Sequence, residues 1–160
     1  MKKVFHWKNF KKGFSLLELL IVFAILGVIA GIGSSFYINY NKNVEINSTA
    51  QNINFNLKQA QSKSMIGEGS FKWGIHFVNG ATDYYEIFST PTDYSNISKV
   101  IVSTFYLPNN IIFTDPGSGS TKDIIFNKIS GSTTASSVTI SSGSTNKTVS
   151  VSIIGGIKVQ

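Results

Sequence analysis

Few side chains in this sequence could carry catalysis or bind a transition metal. Its 160 residues contain two histidines, His6 and His76, and no cysteine. The sequence has no HExxH or CxxC spacing for a metal site, and its Gly/Ser stretches do not follow a strand and open a helix as phosphate-binding loops do. His76 is therefore predicted to be an ordinary strand residue. The protein is predicted not to be an enzyme and to carry no metal or cofactor.

Two pairs of carboxylates could hold a cation such as Ca²⁺ through oxygen ligands. Asp83 and Glu86 are three residues apart around a predicted hairpin, and Asp115 and Asp123 flank a Gly/Ser loop. We expect these four side chains to be solvated loop carboxylates.

Glu18 is the carboxylate with the most unusual neighbours. It lies in FSLLELLIVFAILGVIAGI, residues 14–32, a run of nineteen that only Ser15 and Glu18 interrupt. As a helix this run would be about 28 Å long, close to the ~30 Å hydrocarbon thickness of a bilayer. A carboxylate in such a segment costs about 2.5 kcal/mol or more at the bilayer centre and less near the interface. The run is predicted to span a membrane and Glu18 to have a function there.

Positive charge is concentrated ahead of this run. Nine lysines from Phe14 onward face eight acidic residues, and 9 − 8 leaves about +1 of the formal +6. Basic residues beside a membrane segment resist translocation, so the C-terminal body is predicted to lie outside the cytoplasm. All fourteen basic residues are lysine, which does not favour nucleic-acid binding because arginine supplies the bidentate contacts. The five lysines before residue 13 are Lys2, Lys3, Lys8, Lys11 and Lys12.

Two ordinary interpretations of the apolar run compete with a specialised one. A secretory signal could be cut near Val28-Ile29-Ala30, and a simple membrane anchor would explain the length. Neither accounts for Glu18, because a costly carboxylate is an odd choice in a removed signal or a plain anchor.

The residues from Lys11 to Leu20, KKGFSLLELL, resemble the class III signal of type IV pilins and pseudopilins. The resemblance implies that a prepilin peptidase cuts between Gly13 and Phe14, that Phe14 becomes N-methylphenylalanine, and that Lys11 and Lys12 are the leader charge. It also implies that Glu18, fifth in the mature chain, is the assembly carboxylate. The implied partners are prepilin peptidase, other pilin or pseudopilin subunits, an inner-membrane assembly platform and membrane lipid.

Two details of the mature helix stay open. The Glu18 carboxylate could pair with the amino terminus of a neighbouring subunit, which would fix axial register, or with its own Phe14 amine four residues away. Gly27, Gly31 and Gly33 could let the helix melt or bend, whereas Gly27 and Gly31 could instead provide close helix packing.

The body is predicted to be a helix followed by strands. Apolar positions three and four residues apart predict an amphipathic helix that continues the membrane segment and ends near Gly67-Glu68-Gly69. These positions are Ile46, Ala50, Ile53, Leu57, Ala60 and Ser64. The predicted strands, which are rich in β-branched and aromatic residues, are Phe71–Phe77, Tyr84–Ser89, Lys99–Leu107, Asn110–Thr114, Asp123–Asn127, Ser137–Ser141, Thr148–Ile153 and Gly156–Val159.

The predicted fold class is therefore α+β, a pilin-like fold in which a long N-terminal helix packs on one C-terminal antiparallel sheet. The predicted organisation is a removed leader (1–13), a transmembrane and assembly helix (14–35), an amphipathic second half (36–67) and a β-rich domain (70–160). The body also resembles GspH/FimT-like minor pilins and pseudopilins, through the helix end 57–64, the segments 73–77 and 106–113, and the closing pair 147–153 and 155–159.

The leading functional hypothesis is a structural subunit, a minor pilin or pseudopilin of a type IV pilus or a type II secretion-like filament. It is expected to begin as a single-pass inner-membrane protein and then enter the filament. One alternative is a DNA-binding minor pilin for DNA uptake, with Lys147 and Lys158 as candidate DNA contacts. The major pilin and a secreted hydrolase are further alternatives.

Overall fold

The computed structural model describes residues 13–160, except for the side chains of residues 32–39. It contains one long helix, α1 (Leu16–Ile66), which runs through Gly31–Ser35 without interruption, and a 3₁₀ turn at Glu68–Ser70. The eight strands are β1 (Lys72–Val78), β2 (Tyr84–Thr90), β3 (Val100–Tyr106), β4 (Ile112–Asp115), β5 (Thr121–Phe126), β6 (Ser136–Ser142), β7 (Thr145–Val151) and β8 (Ile157–Val159). Each overlaps a predicted strand, and the α+β class is confirmed.

The chain divides into two compact units, the first ending at Asn39 and the second comprising Tyr40–Gln160. All the strands belong to the second unit, together with the part of α1 from Tyr40 to Ile66. Between residues 46 and 60 the predicted apolar stripe of α1 is confirmed, since five of its members have no exposed surface. They are Ile46, Ala50, Ile53, Leu57 and Ala60.

The C-terminal end of α1 is fixed by backbone geometry and by two hydrogen bonds from Ser64. Gly67 follows the helix with φ 75°, a left-handed conformation that glycine adopts without steric cost. Ser64 is fully buried; its hydroxyl donates to the Phe126 carbonyl at 2.7 Å, and its own carbonyl accepts the Ile129 amide at 3.2 Å. The helix therefore ends where the sequence predicted, and loop residues after β5 help to hold that end.

The strands form two antiparallel sheets, which corrects the prediction of one. Sheet A has the order β3-β2-β1-β5, and sheet B has the order β4-β6-β7-β8. The chain leaves sheet A after β3, begins sheet B with β4, and returns to place β5 beside β1. One core cluster nevertheless joins the inner faces of both sheets to the stripe of α1. It includes Phe77 from sheet A and Val149 from sheet B.

One strand end also differs from the prediction. The alternation over the predicted strand Thr148–Ile153 places Val149, Val151 and Ile153 on one face. Val149 and Val151 are buried, but β7 ends at Val151 and Ile153 is 67% exposed in the turn that follows. The turn closes through a bond from the Gly155 amide to the Ser152 carbonyl at 2.8 Å, which ends the strand alternation before Ile153.

Candidate processing and assembly site

The predicted cleavage position lies in an exposed segment just ahead of α1. Gly13, Phe14 and Ser15 have no regular secondary structure, and Phe14 is 81% exposed. Apart from its two chain neighbours, no atom of the described residues lies within 4 Å of the position that a Cβ on Gly13 would occupy. The Gly13–Phe14 bond therefore lies outside the hydrogen-bond ladder of α1.

Glu18 lies in the first turn of α1 and is exposed. Ser15 immediately precedes the helix, and its carbonyl accepts the Leu19 amide at 3.2 Å. Ser15 and Glu18 thus have the spacing of a capping box, Ser-x-x-Glu, and a carboxylate at this end also favours the helix dipole. This local role was not considered from the sequence. Within the residues that the structure describes, the Glu18 carboxylate makes no hydrogen bond or ion pair, so it is open to an external cation.

The first half of α1 exposes apolar side chains on all its sides. Every large aliphatic or aromatic residue from Phe14 to Ile29 is 44–82% exposed. The four sides of the helix are represented by Leu16, Leu17, Ile25 and Leu26, so there is no single stripe of the kind seen after Ile46. This half of the helix therefore has apolar surface to bury against something other than the described part of the chain.

In the part of the chain that the structure describes, no helix has both the length and the apolar content of a membrane span.

The predicted leader charge, Lys11 and Lys12, lies outside the described residues, as do His6 and the lysines before them.

The two candidate DNA contacts are on neighbouring strands but not on one surface. Lys147 of β7 shares its strand face with the buried Val149 and Val151, whereas Lys158 of β8 pairs with Ser150 on the other face. The structure therefore does not bring Lys147 and Lys158 together into a basic patch.

The two carboxylate pairs that were considered for a cation do not form cation sites either, because their oxygens have partners within the protein. Asp83 accepts the backbone amides of Gly80 and Phe113, and Asp115 pairs with Lys122. Glu86 is buried in β2 and accepts a hydrogen bond from Tyr94, and Asp123 of β5 pairs with His76, so neither is the solvated loop carboxylate that was predicted. Among the described residues, no group of three or more histidine and acidic side chains could hold a metal ion.

A polar row on the outer face of sheet A was not found from the sequence. Strand pairing places Thr104, Glu86, His76 and Asp123 side by side across four strands. His76 Nδ1 lies 2.5 Å from an Asp123 carboxylate oxygen, and the Tyr94 ring stacks on the imidazole with 3.6 Å between centroids. The Tyr94 hydroxyl donates to Glu86 at 2.8 Å. His76 is thus a buried strand residue, covered by an aromatic ring from the β2–β3 loop.

The ionisation of Tyr94 reflects these contacts. Burial, and then the hydrogen bond to Glu86 and the negative charge of that carboxylate, raise the pKa of Tyr94 well above its usual value. The neutral Tyr94 side chain therefore holds the β2–β3 loop against sheet A, through its stacking on His76 and its hydrogen bond to Glu86.

A comparison with protein families bears on the N-terminal residues. Residues 8–34 match the family model described as the prokaryotic N-terminal methylation motif. The match includes Gly13, Phe14 and Glu18, and it indicates a type IV pilin-like protein with a class III signal that is processed as a prepilin. Such a motif implies cutting by a prepilin peptidase and assembly with other pilin subunits. No curated protein and no solved structure matches the chain.

Proposed function

We propose that the protein is a structural subunit, a minor pilin or pseudopilin, that polymerises through the N-terminal half of α1. In this proposal the peptidase cuts after Gly13, Phe14 is methylated at its new amino terminus, and residues 14–35 hold the subunit in the inner membrane until assembly. The observation that carries the proposal is the methylation motif on a helix whose apolar side chains are exposed on every side.

Hydrophobicity supports both the membrane and the filament stage of this proposal. An exposed aliphatic side chain gains roughly 1.5–3 kcal/mol when it is fully buried. The large apolar residues from Phe14 to Ile29 are 44–82% exposed, so either lipid or the helices of neighbouring subunits would provide a large part of that energy. The membrane segment itself is inferred from the sequence, in which an apolar run of nineteen residues is interrupted only by Ser15 and Glu18.

The carboxylate of Glu18 supports a specific register between subunits. In a dry helix bundle an unpaired carboxylate is penalised by several kcal/mol, and a positively charged amino terminus offsets that penalty only at the correct axial position. Glu18 is exposed and unpaired within the described residues, so it is available for such a partner. We assign it to the amino terminus of the neighbouring subunit's Phe14.

The body supports a structural rather than a catalytic role. Its polar clusters are bonded internally, as in the row from Thr104 to Asp123 beneath Tyr94. A helix followed by two antiparallel sheets is also consistent with the proposed placement among GspH/FimT-like minor pilins and pseudopilins. In this proposal the body extends outside the inner membrane and becomes part of the filament surface.

Mass measurement of the mature N-terminus tests the processing step. When the full chain is expressed with a prepilin peptidase, we expect a product that begins at N-methylated Phe14. Gly13→Leu should accumulate at the precursor mass, because a bulky side chain beside the bond would hinder its entry into the active site of the peptidase. Ala30→Leu is the matched control and should be cut normally, unless the segment is a secretory signal. A product that begins near Gly31 would contradict the proposal.

A further inference from the structure

A groove of about 340 Å³ lies in the second unit, between α1 and the end of β3. Its volume is at the small end of the range for ligand sites, which suits a ligand of one or two rings. The residues that could contact a ligand there are Thr49, Asn52 and Asn56 of α1, Tyr85 of β2, and Phe105 and Tyr106 of β3. None of these residues belongs to the processing and assembly site.

Two polar side chains of the groove are held in place by a hydrogen bond to each other, and both keep unused hydrogen-bonding capacity. Asn56 is 6% exposed, and its side-chain amide donates to the Tyr85 hydroxyl at 3.0 Å. Tyr85 thereby accepts a hydrogen bond, while its own proton has no acceptor among the described residues. The Asn56 carbonyl oxygen likewise has no partner and is not among the fully buried unpaired atoms. The pair therefore offers one O–H donor and one acceptor to a ligand.

Two further residues of α1 extend this set. The Thr49 hydroxyl donates to the Glu45 carbonyl at 2.9 Å, which leaves its lone pairs able to accept. Asn52 is exposed and makes no hydrogen bond within the described residues, so it offers both a donor and an acceptor. Burial raises the pKa of Tyr85, and the Asn56 hydrogen bond only partly offsets this effect, so the phenol stays a neutral donor at neutral pH.

The remaining walls are apolar and uncharged. The Phe105 ring is 36% exposed and stacks on Tyr85 with 5.2 Å between centroids, whereas the Tyr106 ring lies on the other face of β3, against Tyr84. No lysine, aspartate or glutamate lines the groove. Because an anionic or cationic ligand would lose its hydration without gaining an opposite charge, the lining favours a neutral ligand.

We propose that this groove binds a neutral carbohydrate of one or two sugar rings. Each sugar hydroxyl is at once a donor and an acceptor, as the mixed set on Tyr85, Asn56, Asn52 and Thr49 requires. The C–H faces of a sugar ring are apolar and fit against the Phe105 ring.

An added peptide strand fits the same region less well. Strand addition needs a regular free edge, and β3 is the edge strand of sheet A. Between Ile87 and Phe88 the register shifts, so Val102 of β3 has no residue opposite it on β2. A bulge of this kind interrupts the ladder and protects an edge from pairing. The groove is therefore assigned to a compact ligand rather than to an extended one.

Saturation-transfer NMR on the full chain tests this site, in a zwitterionic detergent that has no sugar headgroup. The panel contains glucose, galactose, mannose, N-acetylglucosamine and their disaccharides, with glucuronic acid as the charged counterpart. We expect at least one neutral sugar to bind saturably below about 10 mM and more tightly than glucuronic acid. Tyr85→Phe should weaken that binding about tenfold, because it removes the hydroxyl that donates to the ligand and that also accepts the Asn56 amide.

Two other variants keep the test decisive. Asn52→Ala changes an exposed residue, so it should fold normally and weaken binding about threefold or more, even if Tyr85→Phe is unstable. Tyr40→Phe removes the same hydroxyl from an exposed position outside the groove and should leave affinity within twofold. The proposal is overturned if no neutral sugar binds at about 10 mM, if glucuronic acid binds as tightly as the best neutral sugar, or if Asn52→Ala leaves affinity unchanged.

Discussion

The two halves of α1 use apolar side chains in different ways. From Phe14 to Ile29 large apolar residues occur on all sides of the helix and are 44–82% exposed. From Ile46 to Ala60 five of the six apolar residues form one stripe with no exposed surface, and Phe55 is 65% exposed. The second half buries its stripe against strands of its own chain. One helix thus combines a segment whose partner is encoded in the same chain with a segment that we assign to lipid and to other subunits.

The two halves of α1 also differ in how their polar and charged side chains are bonded. In the second half, several polar side chains are bonded within the body, as when the Gln61 amide donates to the carbonyls of Gly131 at 3.1 Å and Gly155 at 2.8 Å. In the first half, Glu18 makes no such bond within the described residues. Substitutions in the two halves should therefore affect different properties of the protein, namely assembly in one and folding in the other.

The largest expected effect is on assembly. Glu18→Ala should leave cleavage after Gly13 intact and abolish incorporation into filaments, measured as the fraction of subunit in sheared filaments. Glu18→Gln distinguishes an ion pair from helix capping. Glutamine is compatible with a capping box at this spacing from Ser15, but it has no charge with which to pair with an amino terminus. We expect Gln to fail as Ala does. Normal incorporation of either variant would remove the assembly role, and normal incorporation of Gln alone would reassign Glu18 to helix capping.

The next effect is on stability, with the same substitution made in each half. Leu57→Ala should destabilise the body by about 2–5 kcal/mol, because it leaves a cavity in the core. Leu20→Ala, at a position that is 62% exposed, should change the unfolding free energy by no more than about 0.5 kcal/mol. Denaturant unfolding of the full chain in detergent measures both. Equal losses in the two variants would show that the halves share one folding core.

The stripe and the strands could be predicted because their signals are local. A spacing of three and four residues identifies the face of a helix from one short window, and Ile46, Ile53 and Leu57 are buried as that spacing requires. The eight strands were identified from β-branched and aromatic runs between turn residues. The class III signal is local as well, since Gly13, Phe14 and Glu18 lie within six residues of one another.

The partners of the strands could not be predicted, because pairing depends on residues distant in the chain. A single sheet was expected, yet β4 pairs with β6 and starts a second one. His76 and Asp123 are 47 residues apart and become neighbours only through the register of β1 and β5. The groove also needs three elements at once, since Asn56 and Tyr85 are 29 residues apart. Only the tertiary fold shows which polar residues are paired and which are left open.

A smaller effect concerns the loop that Tyr94 holds over sheet A. Its pKa is raised by folding, so the folded chain keeps the phenol proton where the unfolded chain loses it. The stabilisation is complete below pH about 10, the usual tyrosine value, and is lost as pH rises toward the folded pKa. Between pH 9 and 11, stability should fall more steeply for the wild type than for Tyr94→Phe, measured by denaturant unfolding. Parallel slopes would indicate that Tyr94 ionises as freely in the folded chain as in the unfolded one.

The smallest expected effect is on the stability of the body, and it distinguishes the cost of backbone strain from the cost of exposed apolar surface. Ile129 is 82% exposed and has φ 66°, a left-handed conformation that is unfavourable for a β-branched residue by roughly 1–2 kcal/mol. Asparagine adopts this conformation more readily, so Ile129→Asn should stabilise the body by about 0.5–1 kcal/mol. Ile154 is 84% exposed without a positive φ, so Ile154→Asn is the matched control and should stay within about 0.5 kcal/mol of the wild type. Equal effects at both positions, measured by denaturant unfolding, would attribute any gain to the loss of exposed apolar surface. A gain at Ile129 alone would show that the body tolerates a strained residue where its loop meets the end of α1, at the hydrogen bond from the Ile129 amide to the Ser64 carbonyl.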